Sequence, residues 1–223
     1  MFLSNCVRSA SRIAVVTGGN KGIGYEIVRG LVKSKTFDTV YLTARNNELG
    51  LAAANSLCNE ELTDSIKYHQ LDVTAEKSIE SFSTFLDKEH GGLDVLVQNA
   101  GILLFPNEEE SIEEQAKKTM NTNFWGPLNV MKNLAHITKP DGRIVFVSSE
   151  ISLAAMYEFT PHWMVNPIAK QFSSANVGIS MESVETLAHQ YLSDMQNGID
   201  NGWPAMSYSV SKLFVNQIAK VYA

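Results

Sequence analysis

The sequence predicts an α/β protein organised around a doubly wound parallel sheet. Two observations lead there. Short apolar, β-branched runs recur from Ile13 to Val147, and each gap between them is helix-length and helically patterned. Strands so separated cannot close as hairpins and need crossover connections, which lay helices on both faces of one sheet. In that arrangement ligands bind outside the carboxyl ends of the strands.

Taken in order, Ile13–Thr17, Val40–Thr43, Ile66–Leu71, Val95–Val97 and Ile144–Val147 read as buried parallel strands. The first leads into Tyr25-Glu26-Ile27-Val28, the start of a helical pattern. Glu108-Glu109-Glu110 with Glu113-Glu114 falls where a long helix should begin, and the helix dipole together with a solvated face accounts for the charge. Regular alternation fails after Ser149. Between Glu150 and Ala205 stand Pro161, Pro167 and Pro204, while Val184, Leu187, Ala188, Tyr191, Leu192 and Met195 recur at helical spacing. Ser180 is placed to cap that helix and Gly198 to stop it. Phe159, Trp163, Phe172 and Trp203 add apolar surface, either for packing onto the main domain or for lining a substrate mouth. The expected organisation is one domain, 1–223, with a βα core over 12–149, an insertion over 150–207 and a final helix from 208 to 223.

Composition narrows the function classes. The chain has 223 residues and a formal charge of −6, from 18 Lys and Arg against 24 Asp and Glu. That balance disfavours a polyphosphate partner, so nucleic-acid binding is not expected. Cys6 and Cys58 are too few for a disulfide scaffold and no Asn-x-Ser/Thr acceptor occurs, which fits a reducing cytoplasm. No apolar run approaches the ~18 residues of a membrane span. The leader from Met1 to Ser11 lacks an apolar core and reads as a floppy lead-in. His69, His90, His136, His162 and His189 show no tight ligand spacing, so no metal site is expected. No Gly-x-Ser-x-Gly elbow points to a serine hydrolase.

Two motifs carry the chemistry. Thr17-Gly18-Gly19-Asn20-Lys21-Gly22-Ile23-Gly24 follows the first strand and opens the first helix, where backbone can approach a pyrophosphate at a helix N-terminus. By itself this spacing is weak, because many glycine loops share it. Tyr208-Ser209-Val210-Ser211-Lys212 sets a phenol and an ammonium four residues apart on one helix face. Alone it would read as an amphipathic core tyrosine beside a solvated lysine. A dinucleotide site together with a Tyr/Lys acid–base pair points to hydride transfer at a carbonyl or alcohol carbon.

Five further segments fall in order: Leu42-Thr43-Ala44-Arg45, Leu71-Asp72-Val73, Gln98-Asn99-Ala100-Gly101, Asn121-Thr122-Asn123-Phe124 and Val147-Ser148-Ser149. With them nearly the whole chain resembles the short-chain dehydrogenase/reductase family and, within it, the monomeric NADPH-dependent carbonyl reductases. The resemblance implies a Rossmann-type fold, a monomer and a small-molecule carbonyl substrate. It makes Tyr208 the proton donor, with Lys212 favouring phenolate and holding the nicotinamide ribose. Ser149 would hydrogen-bond the substrate carbonyl, with Ser148 its rival, and Asn123 would support a proton relay. Capping for the serine and backbone satisfaction for the asparagine remain open. Gly18, Asn20, Lys21, Gly22, Ile23 and Gly24 would cradle the cofactor. Asp72 and Val73 would contact adenine, and Asn99 and Gly101 would flank the cofactor ribose.

Cofactor choice turns on charge after the second strand, where a carboxylate would serve the ribose hydroxyls of NAD. Arg45 stands there instead, and with Lys21 it makes a cationic site suited to the extra phosphate of NADP. A pair of solvated surface bases is the plainer alternative. Two departures from the family pattern stand out. Gln98 replaces an asparagine, and the chain stops at Ala223 within the Tyr208 helix, where family members continue through further strands and a loop over the nicotinamide. The expectation is therefore a C-terminally truncated carbonyl reductase. The alternatives are a dehydrogenase oxidising a steroid- or prostaglandin-like alcohol, and an inactive dinucleotide-binding form.

Overall fold

The computed structural model describes residues 11–61, 63–105, 110–152, 172, 178–199, 201–204 and 206–223. Several expectations lie outside them: the leader up to residue 10, Glu108 and Glu109, and Phe159, Pro161, Trp163 and Pro167. The chain divides into two compact units, Met1–Asn99 with Lys132–Val145, and Ala100–Met131 with Phe146–Ala223.

The first unit holds the sheet. Its strands are β1 (Ile13–Val16), β2 (Thr39–Ala44), β3 (Ile66–Gln70), β4 (Leu93–Gln98) and β5 (Thr138–Phe146), in the order β3-β2-β1-β4-β5. Helices α1 (Gly22–Lys33), α2 (Asn47–Glu61) and α3 (Glu76–His90) make the crossovers. β1 pairs in parallel with both β2 and β4, Val15 lying opposite Tyr41 on one side and Leu96 on the other. All four β1 residues are fully buried, which is why this strand reads as an unbroken apolar run rather than an alternation. Chain order reverses between β1 and β4, and that reversal opens the crevice where a doubly wound sheet takes its ligand. α3 turns Ile79, Phe82 and Leu86 inward and ends at Gly91, whose φ of 63° is the left-handed stop that glycine allows. β5 begins six residues before the expected Ile144, running through Pro140 and a left-handed Asp141 at φ 66°. Proline gives no ladder hydrogen bond and is tolerated because β5 is the edge of this sheet.

The second unit is helical. α4 (Ile112–Met120) starts with a capping box, Ser111 accepting from the Glu114 N–H while the Glu114 carboxylate takes the Ser111 N–H. It runs through a π turn at Asn121–Trp125 into α5 (Gly126–Leu134), whose last turn belongs to the first unit. α6 (Met181–Asn197) is capped by Ser180 and stopped by Gly198 at φ 64°, as expected. α7 (Ser207–Val221) carries the Tyr208 motif and is buried nearly all round, from Ser209 to Val215 and again at Gln217 and Ile218. A helix with no solvated face is a core helix. Its Phe214 stacks within an aromatic cluster of Phe124, Phe172 and Trp203, with Tyr191 against Trp203. Phe172 and Trp203 are therefore spent on packing.

Candidate active site

The glycine loop of the first unit is stitched down on both sides. The Asn99 side-chain amide donates to the Thr17 and Gly18 carbonyls at 3.0 and 3.1 Å, and the Asn99 N–H donates to Thr17 Oγ1 at 3.0 Å. On the other side Gly19 N–H donates to the Thr43 carbonyl at 2.9 Å, while Thr43 Oγ1 returns a bond to Val16 O. The loop is thus tied to the ends of β4 and β2 together. Gly18 and Gly22 take φ of 64° and 57°, a region that side chains rarely enter. A methyl group at Gly24 would overlap Gly18 O and Asn99 Nδ2, so the helix start can approach the loop only as glycine. Lys21 is the N-cap of α1 and supplies no side-chain cap bond, which leaves the first helical N–H groups facing outward as an anion cradle.

Of the remaining predicted cofactor residues, Asn20, Lys21 and Ile23 lie in the loop or at the start of α1, Arg45 follows β2, and Asp72 and Val73 follow β3. Lys21, Ile23 and Arg45 are exposed, and Asn20 is half-buried. Arg45 stands two residues past Thr43, where the Gln70 amide holds its carbonyl at 3.0 Å. Neither the Lys21 ammonium nor the Arg45 guanidinium pairs with a carboxylate among the described residues, and such a cation suits a phosphate better than a ribose diol. Asp72 spends Oδ1 on the Thr74 N–H and hydroxyl, an Asx turn at the end of β3, and Val73 beside it is buried. Gly101 belongs to the second unit.

All four predicted catalytic residues lie in the second unit. Lys212 is buried, its Nζ donates to the Val147 carbonyl at 2.7 Å and sits 5.6 Å from the centroid of the Tyr208 ring. Burial pushes its ammonium below the ordinary 10.5. Ser148 donates to the Lys212 carbonyl at 3.4 Å. The rival serine is thereby turned onto backbone. Ser149 Oγ accepts from the Ile151 N–H at 3.4 Å, which leaves its hydroxyl proton available to a substrate oxygen. Asn123 sits in the π turn and is 1% exposed. Its Oδ1 accepts from Ile102 N at 2.8 Å, and its Nδ2 donates to Ile102 O at 2.9 Å and to Ser211 Oγ at 3.0 Å. None of these bonds goes to Tyr208, Lys212 or Ser149, so the side chain is a clamp between the Ile102 backbone and α7. The π turn has a local cause as well: Pro127 has no N–H to return to the Asn123 carbonyl four residues back.

The model of the short chain dehydrogenase family matches residues 12–162, a span that holds the glycine loop and the strand-end serine. The chain belongs to that family. As a short-chain dehydrogenase it is 39% identical to carbonyl reductase (NADPH) 1 of Rattus norvegicus, over 95% of this chain and 73% of that one. The Bos taurus protein of the same name is also 39% identical, over 100% of this chain and 76% of its own. The solved menthone neomenthol reductase from Mentha piperita is 29% identical with a TM-score of 0.81, covering 96% of this chain and 86% of that one. The family match ends before α7, so Tyr208 and Lys212 are reached only by the longer alignments.

Sequence reasoning missed Thr17 and Thr43 as fasteners of the loop, and Ser152, Ser211 and Asn216 as fasteners of α7. The available signal was polarity: Ser211 and Asn216 interrupt a helix whose other residues in this stretch are mostly apolar. Among the described residues no group of three or more His, Cys, Asp or Glu could hold a metal ion, and no helix is long and apolar enough to cross a membrane.

Proposed function

We propose that this protein is an NADPH-dependent carbonyl reductase of the short-chain dehydrogenase type, converting ketones, aldehydes or quinones to alcohols. The observation that carries the reading is Lys212, a buried ammonium held by the Val147 carbonyl beside the Tyr208 ring. Burying a cation is costly, and a site that retains one beside a phenol has a use for it. NADPH supplies the hydride when bound. The chain's own residues do the rest. The glycine loop and the α1 N-terminus hold the pyrophosphate, and Lys21 and Arg45 hold the additional phosphate. Ser149 orients the substrate by donating its hydroxyl proton to the carbonyl oxygen. Tyr208 Oη gives its proton to that oxygen as negative charge develops there, and the Lys212 cation stabilises the phenolate left behind. Asn123 keeps the Ile102 backbone and Ser211 in place around that pair.

The identity to proteins named carbonyl reductase (NADPH) 1 supports the substrate class and the cofactor. We also read the protein as a cytoplasmic monomer. Cys58 as a free thiol is in keeping with a reducing compartment, and the segment preceding Tyr208 resembles the one that covers the pairing helices in carbonyl reductases. Light scattering is expected to give the mass of a single chain, and a stable dimer would contradict it.

The test of the catalytic reading is Tyr208→Phe. It keeps the ring and removes the transferable proton. With p-nitrobenzaldehyde, menadione and cyclohexanone as probes, turnover should fall at least about a hundredfold, the usual scale of general acid catalysis, while NADPH binds as before. Turnover close to that of the unaltered chain would remove Tyr208 from the acid's place.

A further inference from the structure

Beyond the four residues with assigned roles, α7 carries a fifth polar group in register with Tyr208 and Lys212. Asn216 lies one turn past Lys212, so the three recur at i, i+4 and i+8. Its Nδ2 donates to Ser152 Oγ at 3.0 Å, and Ser152 Oγ donates to the Ser149 carbonyl at 2.7 Å. The Ser152 N–H reaches the same carbonyl at 3.2 Å. Ser152 is fully buried, so no solvent replaces a lost partner. The segment leaving β5 is fastened to α7 before Ser149, by Lys212 Nζ on Val147 O and by Ser148 Oγ on Lys212 O. Asn216 with Ser152 fastens it after Ser149. The serine is bracketed from both sides.

We propose that Asn216 and Ser152 are positioning residues that hold Ser149 in register with Tyr208, extending the Tyr/Lys pair to a Tyr-Lys-Asn stripe. This rests on the role given above to Ser149. Two fasteners upstream of the serine leave its main chain free to pivot about Ser148. The third removes the pivot, and small errors of placement at a reacting group are expensive in rate.

The experiment is a double-mutant cycle on the full chain, reading kcat with NADPH and p-nitrobenzaldehyde. Asn216→Leu should lower kcat about tenfold with the KM for NADPH unchanged, and should cost less than about twofold when Ser149 is already alanine. Ser152→Ala should copy Asn216→Leu, and Ser152→Thr, which keeps the hydroxyl, should restore turnover. Equal factors in both Ser149 backgrounds, with Ser149→Ala itself impaired, overturn the proposal while leaving the role of Ser149 intact. Full turnover by Ser149→Ala overturns that role, and the proposal with it. A readout independent of turnover is amide exchange: the Ile151 and Ser152 N–H groups, both bonded to Ser149, should exchange faster in Asn216→Leu, and unchanged exchange overturns the proposal whatever the activity.

Discussion

At the scale of single residues, burial separates the group proposed to assist proton transfer from those proposed to hold the cofactor phosphate. Lys212 is buried and bonded, whereas Lys21 and Arg45 are exposed beside the glycine loop. An exposed base contributes little to folding and a great deal to a bound phosphate, because the charge-assisted contact exists only when the ligand is there. Arg45→Asp should therefore leave melting behaviour nearly unchanged and weaken NADPH about tenfold to a hundredfold, the scale of losing a hydrogen bond to a charged group. NADH should bind as well as before or better, since a carboxylate after β2 serves the ribose diol. Titration of the variant with both cofactors checks this, and an unaltered preference for NADPH would show that Arg45 is a solvated surface base. The motifs that hold the candidate cofactor and catalytic residues were legible in the sequence. The partners were not: nothing in one dimension tells that the Asn123 amide closes on Ile102 and Ser211, because those contacts span 21 and 88 residues.

Elements show the same division. The three inner strands, β2, β1 and β4, appear where the apolar runs lie, since a strand buried on both faces must be apolar throughout. β3 lies where its run predicts but at an edge of the sheet, and only Ile66 of it is buried, so the expectation of a buried strand there is corrected. β5 starts six residues before its apolar run, at Thr138, because the run marks only the apolar part of the strand and Pro140 and Gly142 lie before it. At a sheet edge neither one prevents pairing, and edge position is a property of the sheet rather than of the segment. The π turn was likewise invisible, although Pro127 marks it in retrospect. The junction of β1, the glycine loop and α1 is the element proposed to hold the cofactor, and Gly24 is its tightest point. Gly24→Ala should both lower the melting temperature and abolish measurable NADPH binding, because the added methyl displaces Gly18 O or Asn99 Nδ2 and so loosens the stitch to β4. Binding near the unaltered affinity would mean that the loop can recede without loss of its cradle.

For the molecule as a whole, a half-buried histidine in the first unit and a buried tyrosine in the second act at opposite ends of the pH scale. In the first unit His90 accepts or shares a hydrogen bond with the Tyr41 hydroxyl at 2.9 Å. Burial pushes its pKa below the ordinary 6.5, the nearby Lys139 adds to that and Glu89 opposes it. As pH falls through 6.5 the unfolded chain therefore takes up a proton before the folded one does, and stability is lost until the depressed folded pKa is passed. In the second unit the Tyr191 phenol donates to Ser207 Oγ at 3.0 Å and is pushed by burial up to about 12. Between its ordinary 10.0 and that value the unfolded chain ionises first, so stability falls with rising pH, by up to roughly 3 kcal/mol for a shift of this size. Lys212 works the other way: its folded pKa is depressed by burial, so the folded chain releases its proton first and stability gains as pH climbs toward 10.5. Thermal melts across pH should thus show a plateau near neutrality, an acid decline beginning below 6.5 and an alkaline decline beginning above 10. His90→Gln, which keeps an acceptor for Tyr41, should flatten the acid decline alone. Tyr191→Phe should lower the plateau by the lost bond to Ser207 and shrink the alkaline decline without touching the acid one, the remainder coming from Tyr41 and Tyr68 of the first unit, whose phenols burial also pushes up. An acid decline that in His90→Gln begins only below 4.5 would place its cause in Glu60, which is held below its usual range by Ser56, Arg29 and Tyr25.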